Sequence, residues 1–183
     1  MEKTSIFIDG NNFYHGLRYL YGKDKSLKNF SFEHFAKFLA GDKEIIDIFY
    51  YNAQLDKLKN PEKFQSQKEF FSNLKKIPKF RLILCKLLKR KIKGTKKYYY
   101  VLKEDDIHMA VDMVEGASDN KFDVALVVSG DGDFVPAVKA VQRKMKRVKN
   151  IYFKKSSSRN LKQHCDESLE LNKEFLDRCF NKN

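Results

Sequence analysis

Short apolar runs alternate with helically spaced ones along the chain. SIFI (5–8) reads as a strand, and FYHGLRYLYG (13–22) then carries Phe13, Leu17 and Leu20 at helical spacing. FEHFAKFLA (32–40) repeats that spacing, and EIIDIFYYNA (44–53), β-branched and aromatic, reads as strand. PEKFQSQKEFFSNLKKI (61–77) predicts a helix opened by Pro61, and FRLILCKLL (80–88) a strand. Downstream, 105–117 reads as helix, FDVALVVS (122–129) as strand, 133–145 as helix and RVKNIYF (147–153) as strand. Ser-capped SSSRNLKQHCDESLEL (156–171) reads as a closing helix. Such alternation predicts an α/β fold: a three-layer α/β/α sandwich on a central, mainly parallel sheet of about five strands. One domain is expected over residues 1–178, with a basic β-hairpin insertion at 85–101 and a tail at 179–183.

In such a sheet, ligands bind beyond the carboxyl ends of the strands. Asp9 closes the first strand in IFIDGNN, and Asp131 follows VALVV by two residues, so central parallel strands would set both at one edge. DGNN is elsewhere a hairpin signal, but a helical pattern follows it here. A third carboxylate is expected from the helix at 105–117. At about 100° per residue, Ile107, Ala110, Val111 and Val114 are read as its buried face, with Asp106 on the flank. Asp105 is read as the helix cap, whereas Asp112 shares the outer direction with Asp105 and His108 and stands either in solvent or against a loop. Asp9, Asp106, Asp131 and Asp133 brought together would repel one another. A hard divalent cation, Mg²⁺ or Mn²⁺, removes that difficulty, and no Cys/His set favours zinc.

Composition adds a partner. An apolar share of 42%, with 16 Phe and 9 Tyr, suffices for a core, and 37 Lys+Arg against 24 Asp+Glu leave a charge of +13. That excess favours a polyanion. CKLLKRKIKGTKKYYYV (85–101) concentrates Lys86, Lys89, Arg90, Lys91, Lys93, Lys96 and Lys97 around Gly94-Thr95, followed by Tyr98, Tyr99 and Tyr100. Leaving the carboxyl end of one strand and returning to Lys103, this ribbon should lie beside the carboxylates. Lysines that track phosphates and tyrosines that stack bases suit single-stranded or looped RNA; the plainer reading is a solubilising ribbon whose alternate tyrosines face the core. Lys144, Lys146, Arg147 and Lys149 fall at the opposite end of the sheet and read as a solvated surface. Cys85, Cys165 and Cys179 lack C-x-x-C spacing and fit a reducing compartment. MEKTSIFIDG does not read as a signal peptide, and no apolar run approaches the ~20 residues of a membrane span. A cytoplasmic protein is expected.

FIDGNN, KEDDIHMAVDM and LVVSGDGDF, in that order, resemble the NYN domain of the LabA-like kind, within the PIN-like nuclease superfamily, over residues 4–171. The resemblance implies a metal-dependent ribonuclease, with in-line attack by a metal-activated water on single-stranded or looped RNA. On it, Asp9, Asp106 and Asp131 hold the metal, Asp133 assists, and Asp112 is a further candidate ligand. Asn12 and Ser129 support the carboxylates, and Lys103 contacts the nucleic acid. For the early-helix glutamate of many PIN nucleases, Glu33 and Glu69 qualify only by position. A homodimer is also in keeping with the superfamily, although no interface is legible. Two alternatives stand beside this reading: a catalytically weak RNA-binding module on the same fold, and a Toprim-type phosphotransfer enzyme.

Overall fold

The computed structural model describes residues 1–95 and 98–181, with residues 100–103 described by their backbone alone. In chain order the elements are β1 (Lys3–Asp9), α1 (Gly10–Tyr21), α2 (Phe32–Ala40), β2 (Glu44–Ala53), α3 (Pro61–Leu74), β3 (Phe80–Lys91), β4 (Tyr98–Lys103), α4 (Asp105–Ser118), β5 (Val124–Val128), α5 (Val135–Gln142), β6 (Arg147–Tyr152), α6 (Arg159–His164), β7 (Glu167–Glu170) and α7 (Lys173–Asp177). They form one sheet in the order β4-β3-β2-β1-β5-β6-β7. Every neighbouring pair is parallel except β3 and β4.

The sheet therefore has seven strands, two more than expected. One extra is β4, the return arm of the basic hairpin. The other, β7, lies inside the stretch read as a single helix over 156–171, where only Arg159–His164 is helical. Pairing overrides helical spacing here. Asp166 accepts from the Val148 amide at 2.7 Å, its own amide donates to the Val148 carbonyl, and the following residues extend along the open edge of β6. Packing also continues past residue 178. Cys179 is buried, Phe30 bridges Phe180, and the Asn181 amide donates to the Asn29 carbonyl, within the stretch read as a tail.

The central strands are covered on both faces, which is why VALVV is apolar without alternation. Along β1, Ile6 and Ile8 join one core with residues of α1, α2, α3 and α7, while Phe7 joins the other with residues of α4, α5 and α6. In the first core Phe13 is ringed by Phe30, Phe32, Phe35 and Phe153, with centroids 5.2–5.5 Å away. Burial of this kind makes a Phe→Ala change cost about 3–5 kcal/mol. It also fixes α1, whose first turn begins at the carboxyl end of β1.

The expected inner face of α4 is turned. Met109, Met113, Gly116 and Ala117 are buried, whereas Ile107 is 67% exposed and Val111 is exposed as well. Two long, flexible methionines fill the space against the sheet better than the stiff β-branched pair. The turn moves every carboxylate on the helix.

Candidate functional site

Asp9 ends β1 and caps α1. Its Oδ1 accepts from the Asn12 amide at 2.9 Å, and its Oδ2 accepts from the Ser129 hydroxyl at 3.0 Å. The strand can turn straight into the helix because Gly10 has no side chain: a Cβ there would lie 2.6 Å from the Tyr51 carbonyl and 2.7 Å from the Tyr50 ring. Ser129 also receives the Asp131 amide at 3.1 Å, and Asp131 Oδ1 in turn receives the Asp133 amide at 2.9 Å. A continuous hydrogen-bond relay thus joins the ends of β1 and β5.

The glycines of SGDGD serve a second loop. A Cβ on Gly130 would meet the Ser156 carbonyl at 1.8 Å, and one on Gly132 would meet the Ser158 hydroxyl at 2.8 Å. Ser156 also donates to Asn12 Oδ1 at 3.1 Å. The segment after β6 is thereby clasped between α1 and the SGDGD turn. Sequence reading missed this loop, because its serines looked like helix capping alone.

From the other side comes α4. The residue before it, Glu104, takes the left-handed conformation (φ 76°) and makes no side-chain cap, so the expected cap role of Asp105 does not hold. Asp105 is instead the first helical residue, half-buried one turn ahead of Met109, with its carboxylate held by the backbone N–H groups of residues 105 and 106. The signal was present in the sequence as Met109, Met113, Gly116 and Ala117 at helical spacing, one turn on from Asp105.

Electrostatics link five carboxylates. Burial raises the pKa of Asp9 most; the Asn12 and Ser129 donors lower it, and Asp105 and Asp131 push it up again. Asp105 is raised by burial, then by Asp131 after its amide donors are counted against it. Asp106, more exposed, is pushed up to about 6 by partial desolvation and then by Asp105, Asp9, Asp131 and Asp133. Among the described residues, none of the five forms an ion pair with a lysine, arginine or histidine. Five hard oxygen donors without a counter-charge fit a hard divalent cation in kind. As the side chains stand, however, no three of His, Cys, Asp and Glu among the described residues are gathered tightly enough to hold one.

Other expected residues lie elsewhere. Asp112 accepts from the Tyr51 hydroxyl at 2.8 Å and so braces α4 on β2. Glu33 pairs with Lys37 at 2.7 Å and Glu69 with Lys28 at 3.7 Å, both beside a cavity of about 190 Å³ between α2 and α3, away from the five aspartates. Neither supplies the early-helix glutamate.

The basic hairpin forms as an antiparallel ribbon, with Lys89 opposite Tyr100, Arg90 opposite Tyr99 and Lys91 opposite Tyr98. Lys89, Arg90, Lys91 and Lys93 are exposed, as are Tyr98 and Tyr99, so neither of these rings faces the core. Lys89 Nζ sits 4.5 Å from the Tyr98 ring centre. Lys86 pairs with Glu104 at 3.1 Å, which ties the ribbon to the start of α4. Lys96 and Lys97, and the side chains of Tyr100 and Lys103, lie outside the described residues. Among the described residues no helix is long and apolar enough to cross a membrane.

A family model described as the NYN domain matches residues 3–172. Among solved structures, the chain is similar to a protein of unknown function from Vibrio parahaemolyticus, at 26% identity over 96% of both chains with a TM-score of 0.71. Among curated proteins none matches significantly.

Proposed function

The chain belongs to the NYN domain family, within the PIN-like nuclease superfamily, and on that premise we propose that it is a metal-dependent ribonuclease acting on single-stranded or looped RNA. The observation that carries the reading is the set of unneutralised carboxylates at the carboxyl edge of the sheet, next to a ribbon of exposed lysines and tyrosines. Asp9, Asp106 and Asp131 are the proposed metal ligands, with Asp133 assisting. Asp105 joins them as a candidate that the sequence did not favour. A divalent cation such as Mg²⁺ or Mn²⁺ would supply Lewis acidity toward the phosphate and lower the pKa of an attacking water.

The chain's own residues do the rest. Ser129 and the Asn12 amide hold both oxygens of Asp9 and so fix its orientation. The Asp133 amide holds one oxygen of Asp131. Lys89, Arg90, Lys91 and Lys93 would bind the phosphate backbone, and Tyr98 and Tyr99 would stack unpaired bases, which a duplex cannot offer. In-line attack by water should leave a 5′-phosphate and a 3′-hydroxyl.

The test is cleavage of an end-labelled single-stranded RNA with Mg²⁺, Mn²⁺ or EDTA, comparing wild type with Asp9→Asn and Asp131→Asn. Asparagine caps a helix about as well as aspartate, so both variants should fold. Metal-dependent cleavage lost in both is the expected result. The spread of the carboxylates favours a second reading, an RNA-binding module without efficient turnover. Wild type that binds RNA in EDTA yet cuts none under either metal would select it.

A further inference from the structure

We propose that the exposed face of α1 and the loop after β6 form a second RNA platform, which receives the strand on the far side of the carboxylates from the β3–β4 ribbon. This rests on the ribonuclease or RNA-binding reading above and names a further part of the substrate surface.

Helix α1 begins at Asp9, and its exposed positions are Asn11, Tyr14, His15, Arg18 and Tyr19, a single stripe at helical spacing leading away from the carboxylates. The helix, GNNFYHGLRYLY, contains no acidic residue. Tyr14 is 44% exposed and Tyr19 57% exposed. Alongside them runs the segment after β6, whose Lys155 Nζ stands 4.5 Å from the Tyr19 ring centre. The Tyr14 ring meets His15 edge-on at 5.3 Å. Cation and ring are thus already arranged for a base to stack and a phosphate to pair.

Two observations separate this stripe from an ordinary solvated face. Among the described residues, Arg18, Lys154 and Lys155 pair with no carboxylate, while Lys43, Lys79, Lys146 and Lys149 on the amino-edge side of the sheet do. The platform is also closely packed. Gly16 lies directly on Phe153, where a Cβ would come within 2.2 Å of the ring, and Ser156 ties the loop to Asn12. In strand order the loop follows β6, on the opposite side of β1 and β5 from the ribbon. A single strand lying across the carboxylates would therefore find cations and aromatic faces on both sides.

The test is binding of a fluorescein-labelled single-stranded RNA in EDTA, read by anisotropy, for wild type, Tyr19→Ala, Tyr19→Phe and Lys155→Ala. It is paired with photocrosslinking of 4-thiouridine RNA and peptide mapping. Tyr19→Ala should weaken binding about tenfold, from the ~1–3 kcal/mol of a stacked base, and Lys155→Ala should weaken it through the lost phosphate contact. Tyr19→Phe should bind like wild type. Lys155→Ala should also flatten the slope of log affinity against log salt by ~0.7, and crosslinks should map to the α1 peptide. Unchanged affinity in the alanine variants, with crosslinks confined to the ribbon, overturns the platform and leaves the proposed function standing. Wild type with no affinity for RNA overturns both.

Discussion

The two ends of the sheet treat charge in opposite ways. At the amino edge basic and acidic side chains neutralise each other. Lys43 and Arg147 meet Glu2, Lys146 meets Asp123 at 3.3 Å, Lys149 meets Glu167 at 3.0 Å, and Arg81 meets Asp47 at 2.6 Å. At the carboxyl edge Lys86 meets Glu104, but among the described residues the aspartates pair with no cation. Five aspartates gather at the ends of β1, β5 and the start of α4, and the cations stand to either side on the ribbon and along α1. The first arrangement ends in itself. The second leaves mutual repulsion among the aspartates and an exposed cationic margin, the two features on which the proposed metal and RNA binding rest.

The contrast can be broken most sharply at Ser129. Removing its hydroxyl frees one oxygen of Asp9, and Ser129→Ala should lower metal affinity or cleavage by ~10–100-fold, whereas Lys149→Ala at the other edge should leave cleavage rates unchanged in the same assay. Next comes Gly130→Ala. The new methyl must displace the Ser156 carbonyl, an overpacking cost of ~1–3 kcal/mol, to be read as a lowered midpoint in urea unfolding.

A pH series sharpens the comparison further. Asp106 is pushed up to about 6, and Asp9 and Asp105 are raised, with burial as the first cause in each. The folded chain then holds more protons than the unfolded one between the ordinary carboxylate range and about pH 6. Stability from this source is complete at low pH and lost as pH rises through 6. In EDTA, Asp106→Asn should therefore raise the melting temperature at about pH 8, with the gain fading toward about pH 5. Added Mg²⁺ should shrink the same gain at the higher pH. Cleavage by wild type should run the other way, falling at acid pH as protons compete with the cation for the proposed ligands. The smallest effect belongs to the amino edge. Lys149→Ala should change stability by only ~0–1 kcal/mol, as exposed ion pairs do, and a salt titration of melting temperature would detect it.

Much of this was legible in the chain, for identifiable reasons. Asp9 and Asp131 follow unmistakable apolar strands, and a parallel sheet puts strand ends at one edge whatever the details of packing. The ribbon announced itself by charge and by its Gly94-Thr95 turn, where Gly94 indeed takes a left-handed φ of 79°. What failed was rotation about a helix axis. Giving Ile107 and Val111 priority over Met109 and Met113 turned α4 and left Asp105 out of the carboxylate set, where it stands beside Asp106. Both faces of α4 carry apolar residues at helical spacing, so hydropathy alone did not choose between them. Strand β7 was hidden for a related reason: ESLE becomes a strand only because β6 presents an open edge. The clasp between Gly130 and Ser156 joins residues 26 positions apart in the chain and leaves no local pattern.

The double service of Asp9 has a consequence for how such chains diverge. One carboxylate starts α1 and also faces the other acids, so a lineage that gave up turnover would still be selected to keep a capping residue there. Asparagine meets that demand and aspartate exceeds it. On the proposed function, a relative with Asn at this position would keep the cap of α1 and lose one of the proposed metal ligands.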